Sequence, residues 1–164
     1  MKFDSSVTQT RYASPLGPMI VAATSRGLAG LWFDNQRHLP DHSAWPQAPS
    51  HPVLRQAMAQ LDAYFAGVRQ AFDVALDLEG GTLFQQSVWR ALLDIPRGTT
   101  ISYASLSKQV GKPVAMRAVG AAVGRNPISI VVPCHRVVGS DGSLTGYAGG
   151  LERKRALLQL EGIQ

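Results

Sequence analysis

Cysteine is almost missing from this chain: Cys134 is the only one in 164 residues. A single cysteine excludes an intramolecular disulfide and a thiolate-rich zinc site, so no structural metal is expected. No apolar run approaches the length of a membrane span, and no membrane partner is expected. Residues 1–6 lack the apolar core of a signal peptide, which makes the cytoplasm the expected compartment, where a lone thiol stays reduced. Low-complexity tracts and internal repeats are absent too. With 45% hydrophobic and 16% charged residues the composition is that of a globular chain. The length suffices for one solid core, or for two small lobes sharing an interface.

Acidic residues are scarce in one half only. Residues 1–83 hold six Lys/Arg against seven Asp/Glu, whereas residues 84–164 hold ten against four. A neutral half joined to a basic half suggests a polyanionic partner for the second, although charge runs are often only solvated faces. The stretch Glu79-Gly80-Gly81 lies where the balance changes and divides the chain into expected units of residues 1–80 and 81–164.

The first unit reads as β followed by helix. Val7–Ala13, Pro18–Thr24 and Gly27–Phe33 are β-rich runs separated by turn residues. Residues 34–52 read as an exposed loop that Trp45 could pin. The apolar spacing predicts a helix over Pro52–Phe65 stopped at Gly67, then a strand over Phe72–Leu78. The second unit opens with Thr82-Leu83-Phe84-Gln85, a capping box ahead of a helix carrying Val88, Trp89 and Leu92. Helical patterns at Tyr103–Val110 and Val114–Val123, joined by Gly111-Lys112-Pro113, have a helix-turn-helix layout that many helical hairpins share. Asn126-Pro127 ends the second helix, Ile128–Val132 is expected as a strand leading into Pro133-Cys134, and Leu151–Glu161 closes the chain as a basic amphipathic helix.

Chemistry concentrates around Cys134. A free cysteine is commonly an inert buried hydrophobe; a nucleophilic one needs a base or cation nearby, because the thiolate reacts. His135 is adjacent in sequence, but neighbours on a strand or helix do not face each other, so contact requires irregular backbone or an intervening water. Otherwise it is an ordinary half-buried histidine. Glu161 falls on the apolar face of the last helix with Leu157 and Leu158. A carboxylate there needs a partner, for which His135 is the candidate, or else it sits at a frayed end in solvent. Arg117 lies among small residues, Ala118 and Gly120 included, which suits either helix packing or entry into a nucleic-acid groove. Tyr103 is a core aromatic or presses on a nucleotide.

The densest motifs are Phe84-Gln85-Gln86-Ser87-Val88-Trp89, Ile101-Ser102-Tyr103, Arg117-Ala118-Val119-Gly120, Asn126-Pro127, Ile-Val-Val-Pro-Cys-His-Arg-Val (130–137) and Gly146-Tyr147-Ala148-Gly149-Gly150. In these the chain resembles the O6-alkylguanine-DNA alkyltransferases, also called methylated-DNA–protein-cysteine methyltransferases. The resemblance runs from about Tyr12 to Gly162. It implies an α+β fold, with a small ribonuclease-H-like α/β lobe followed by a mostly helical lobe. That second lobe would carry the helix-turn-helix and a Pro-Cys-His-Arg active-site strand.

It also implies roles. Cys134 would accept the alkyl group from O6 of guanine in double-stranded DNA, in a single irreversible turnover. His135, through a water and with Glu161, would deprotonate it, and Asn126 would hold the turn before it. Arg117, with Ala118 beside it in the minor groove, would enter the base stack as the guanine flips out. Tyr103 would press on the phosphate and protonate the departing base, while Cys134, Val137, Tyr147 and Ala148 would read the guanine. No cofactor is implied. The resemblance admits O4-alkylthymine as a second substrate, and a monomer in solution that assembles cooperatively on DNA. Some relatives bind zinc through N-terminal Cys and His; a single cysteine argues against that here.

Two other functions use part of this set. A non-catalytic DNA-binding protein, including one that only binds alkyl lesions, needs the helix-turn-helix and charge but not the Cys-His-Glu group. A cysteine hydrolase needs Cys134 and His135 but no DNA-reading helix, and it would turn over repeatedly.

Overall fold

The structure is a computed structural model describing residues 1–164. Its first lobe is an antiparallel meander of β1 (Thr8–Ser14), β2 (Gly17–Thr24) and β3 (Gly27–Phe33) in the order β1-β2-β3. Side chains alternate between faces, and here both faces are covered. Met19, Val21, Leu31 and Phe33 join the main core, while Ile20, Ala22 and Trp32 point the other way with Val7. The second face is closed by an aromatic cluster in which Trp45 lies 5.0 Å from Phe3 and 5.9 Å from Trp32. That contact pins the long loop, as its lone tryptophan suggested.

Helix α1 (Pro52–Phe65) packs on the sheet. Proline occupies its first turn, where an N–H would be orphaned anyway, and His51 caps it by accepting from Val53 N. Gly67 ends it with φ +77°, a conformation that favours glycine. Leu54, Ala57, Leu61 and Tyr64 form its buried face.

The expected strand over Phe72–Leu78 is not formed. Only Leu28 bridges to this segment, through Leu28 N to Ala75 O and Asp77 N to Leu28 O, both 2.8 Å. Three residues further along the same edge, Leu31 exchanges bonds with Pro127 and Ser129. Two segments therefore share one edge of β3, and neither has room to extend a ladder.

In the second lobe, α2 (Leu83–Leu92) starts with both bonds of the Thr82–Gln85 capping box. The two-residue strands β4 (Ile101–Ser102) and β5 (Val137–Val138) pair in parallel. Helices α3 (Tyr103–Gln109) and α4 (Met116–Gly124) form the helix-turn-helix pair, and Trp89 fixes α2 to α4 by donating to Ala122 O at 2.8 Å. Helix α5 (Leu151–Leu160) closes the chain with Glu161 as its C-cap.

The active-site strand expected over Ile128–Val132 and on into Pro-Cys-His-Arg is also absent. Ile128 makes one bridge, Ile130 adopts φ +72°, and Cys134–Arg136 form a single 3-10 turn. Asn126 explains the departure: its side chain donates to Val132 O at 2.7 Å and accepts from Ile128 N at 3.0 Å, closing 126–132 into a compact loop. Those bonds take backbone groups that a strand would have offered to a neighbour.

One continuous core of 28 buried residues runs through both lobes, from Met19 and Leu31 to Trp89, Cys134 and Leu157. No helix is long and apolar enough to cross a membrane.

Candidate active site

The 3-10 turn settles how adjacent residues can do different work. Its tighter winding sends Cys134 to the wall of a cavity of about 350 Å³, while His135 and Arg136 turn inward. His135 is fully buried. Its Nε2 lies 2.9 Å from Glu161 Oε2.

Glu161 is the hub behind the cysteine. Arg136 Nε donates to Oε1 at 2.8 Å and Arg136 Nη2 to Oε2 at 2.9 Å. Tyr64, from α1 of the other lobe, donates its hydroxyl to Oε2 at 2.7 Å. Burial by itself would raise the pKa of this carboxyl, but the hydrogen bonds from His135, Arg136 and Tyr64 hold it well below the usual carboxylate range. Glu161 is thus anionic and acts only as acceptor, which assigns the proton of His135 to Nε2 and makes Nδ1 an acceptor. Nδ1 is buried and has no hydrogen-bond partner in the protein. Burial also lowers the pKa of His135, against the pull of Glu161, so the imidazole is neutral near pH 7.

The thiol itself is disfavoured as an anion. Burial pushes the Cys134 pKa up, opposed by a hydrogen bond from Asn126 and by the charge of Lys154. No direct hydrogen bond joins Cys134 to His135. Lys154 is an unforeseen member of the site: fully buried, its Nζ donates to Val137 O at 2.7 Å, Thr145 O at 3.1 Å and Gly146 O at 3.2 Å. It has no carboxylate partner, and burial brings its pKa down to about 8. This ammonium staples the glycine-rich loop 145–150 to β5.

Around the cavity, Tyr103, Tyr147, Ala148 and Gly146 line the walls with Cys134, and Arg37 and His38 reach it from the first lobe. Tyr103 points its hydroxyl toward Thr145 O at a long 3.4 Å, and burial and the neighbouring Cys134 raise its pKa. The Tyr147 hydroxyl is buried beside Ser129 without a hydrogen bond of ordinary geometry, and burial raises its pKa strongly. Ala148 is anchored by accepting from Arg37 N at 3.0 Å.

Of the residues singled out in the sequence, Cys134, Tyr103, Tyr147 and Ala148 share the cavity, and His135, Glu161 and Asn126 stand directly behind it. Val137 is buried away from the lining and offers one carbonyl lone pair to Lys154. Arg117 and Ala118 are exposed on α4, outside the cavity, and Arg117 makes no ion pair. Gly120, Ala121 and Gly124 of the same helix do reach the cavity rim. No group of three or more His, Cys, Asp or Glu is arranged to hold a metal ion.

Sequence reasoning missed Arg136, Lys154 and Tyr64. Lys154 had a legible signal: it precedes Leu157, Leu158 and Glu161 at helical spacing and so shares their inward face. Tyr64 had only the periodicity of a core residue.

Comparison with known proteins shows which family the chain is similar to. Residues 83–163 fit the family profile described as 6-O-methylguanine DNA methyltransferase, DNA binding domain, and residues 7–78 the profile of its ribonuclease-like domain. The chain is 52% identical over 148 residues to a methylated-DNA–protein-cysteine methyltransferase of Mycobacterium tuberculosis, covering 90% of this chain and 88% of the relative. A protein of the same name from Methanosarcina acetivorans is 47% identical over 152 residues, covering 92% and 96%. Among solved structures, Mycobacterium tuberculosis OGT in complex with DNA superposes with a TM-score of 0.85 at 49% identity, over 94% of this chain and 91% of that one.

Proposed function

The chain belongs to the methylated-DNA–protein-cysteine methyltransferase family, and from that premise we propose how its residues carry the reaction. The family's activity moves an alkyl group from DNA onto a cysteine of the protein, and this chain has one cysteine. Cys134 is therefore the acceptor. The observation that carries the proposal is Cys134 on the cavity wall, backed by the buried His135–Glu161 pair.

Because burial raises the thiol pKa, Cys134 rests protonated and must be deprotonated as it reacts. His135 Nδ1 is the acceptor for that proton, reached through a bridging water, and Glu161 stabilises the imidazolium that results. The thiolate Sγ attacks the alkyl carbon on O6 of guanine; the S–C bond forms as the C–O6 bond breaks. The electron pair stays on the guanine, which takes a proton from Tyr103. Lys154 keeps a positive charge beside the thiolate while it exists. The product is a thioether and an unmodified guanine. No residue of the site offers a route to hydrolyse the thioether, so each molecule reacts once.

DNA is the partner of the second lobe. The exposed, unpaired Arg117 and the small residues of α4 suit an approach to the minor groove, with Arg117 filling the stack as the alkylguanine flips into the cavity. Asn126 holds the turn between that helix and Cys134. Tyr147, Ala148, Val137 and the Cys134 backbone recognise the base. The units 1–80 and 81–164 are support and reaction lobes, the protein acts as a monomer, and it works in the cytoplasm, where its thiol stays reduced.

The test is direct. After incubation with a duplex carrying O6-methylguanine, the Cys134 peptide gains one methyl mass per protein, and Cys134→Ala gains none. Tight binding of the lesion with an unmodified peptide would instead establish a lesion-binding protein without transfer.

A further inference from the structure

We infer that Tyr64, on helix α1 of the first lobe, is a positioning residue for the chemistry of Cys134: its hydroxyl holds Glu161 and limits how strongly that carboxylate acts on His135. The inference rests on the proton relay proposed above and adds to it a group from the other lobe.

The geometry is specific. Glu161 Oε2 accepts from three donors, His135 Nε2 at 2.9 Å, Arg136 Nη2 at 2.9 Å and Tyr64 OH at 2.7 Å, whereas Oε1 accepts only from Arg136 Nε. Three donors on one oxygen compete for its charge, and each bond weakens what the oxygen can offer the others. Tyr64 is the shortest of the three. It is also fully buried and fixed in place: Phe65 and Phe72 pack on its ring with centroids 5.3 and 5.4 Å away, and the Arg97 guanidinium lies 5.4 Å over the ring centre. Arg97 in turn donates to Leu160 O at 3.0 Å, the residue before Glu161. The donor and the carboxylate it serves are thus clamped by one side chain.

The charged and titratable groups facing His135 and its partner are Glu161, Arg136, Lys154, Cys134, Tyr64, Arg97 and Tyr147. Among these, Tyr64 and Arg136 hydrogen-bond the oxygen that His135 uses. Arg136 also holds Ile95 O and cannot be changed without unsettling the turn. Tyr64→Phe removes one hydroxyl and keeps the ring packing. Its removal leaves Oε2 more negative toward His135 and so stabilises the imidazolium. Protons then inactivate the base at a higher pH than in the unaltered protein.

The experiment measures the second-order rate of alkyl transfer from free O6-benzylguanine to Cys134 as a function of pH, in the full chain and in Tyr64→Phe, Tyr12→Phe and His135→Asn. Tyr12→Phe is the matched control, since Tyr12 donates to Asp62 at 2.7 Å on the same helix but away from Glu161. We expect the acid limb of Tyr64→Phe to move to higher pH, with a loss of roughly threefold on that limb and less than about twofold on the plateau. Tyr12→Phe should lose comparable thermal stability with its limb unmoved. The histidine signals in NMR should report the same upward displacement for His135 independently of rate. A Tyr64→Phe limb that superposes on that of the unaltered protein overturns the inference, whatever happens to the absolute rate. His135→Asn separates the two levels: if it loses the limb, the relay stands and only Tyr64 is in question; if it keeps the limb, the relay fails and the inference falls with it.

Discussion

At the scale of single residues, Cys134 combines two properties that would conflict in an enzyme needing a standing thiolate. It is buried, which raises its pKa, and in the proposed reaction it is the nucleophile. In the proposed relay a neutral His135 with a free acceptor nitrogen would resolve the conflict by taking the proton only as the attack occurs. Arg117 is its counterpart on the outside: exposed, without an ion partner, and away from the cavity lining. Arg117→Ala should therefore slow transfer from duplex DNA by at least about tenfold and leave attack on free O6-benzylguanine within about twofold, since only the duplex has to be opened. Equal losses on the two substrates would remove its role in flipping.

At the scale of elements, the segment 126–136 matters most. Asn126 satisfies two backbone groups across six residues, Ile130 takes a left-handed conformation, and the 3-10 turn points Cys134 and His135 in different directions. A regular strand would have placed the pair on opposite faces of a sheet, with no shared partner. Asn126→Ala should cost about 2–3 kcal/mol in urea denaturation, because it leaves two buried backbone groups unsatisfied. It should also slow transfer more than a variant of comparable instability away from the site, such as Leu54→Ala, which costs about 2–5 kcal/mol through the cavity it leaves. Equal transfer rates in the two variants, once both are folded, would show that the loop serves stability alone.

At the scale of the molecule, the lobes share one core and are further joined by Tyr64–Glu161, by Arg153 over the Phe33 ring at 4.4 Å, and by Leu31 bridging to Ser129. The site's electrostatics therefore enter the stability of the whole. His135 and Glu161 both have folded pKa values below their unfolded ones, so the unfolded chain binds the extra protons as the medium is acidified. Stability should be intact above pH 6.5, fall below it as unfolded histidine protonates, and fall again below about 4.5 as unfolded carboxylate does. Denaturation midpoints across pH 3–8 check this. In Glu161→Gln the second decline should shrink, and an unchanged acid profile in that variant would show that the carboxylate is not held as described.

Much of this was legible in order along the chain. The three strands, the bounds of α1, the α2 capping box and the inward face of α5 follow from period, turn residues and caps, which are local properties. The two expected strands over Phe72–Leu78 and Ile128–Val132 had to divide the one free edge of β3 between them, and Asn126 further folds the second into a loop. Apolar pattern shows that a segment is buried, and nothing in it counts the edges available.

The sequence by itself singled out Cys134 as the one thiol, made the alkyl acceptor by the family resemblance, and put Glu161 on the apolar face of the last helix, where it either meets a partner such as His135 or sits at a frayed end in solvent. Only the tertiary structure chose between those outcomes: Glu161 is buried against His135, and Arg136 and Tyr64 join it there. Tyr64 lies 97 residues from Glu161, and its hydroxyl reaches Oε2 because the sheet, α1 and α5 close on a common core. Helical period fixes the face a side chain occupies; the group it meets there depends on how distant elements pack, which no local spacing encodes.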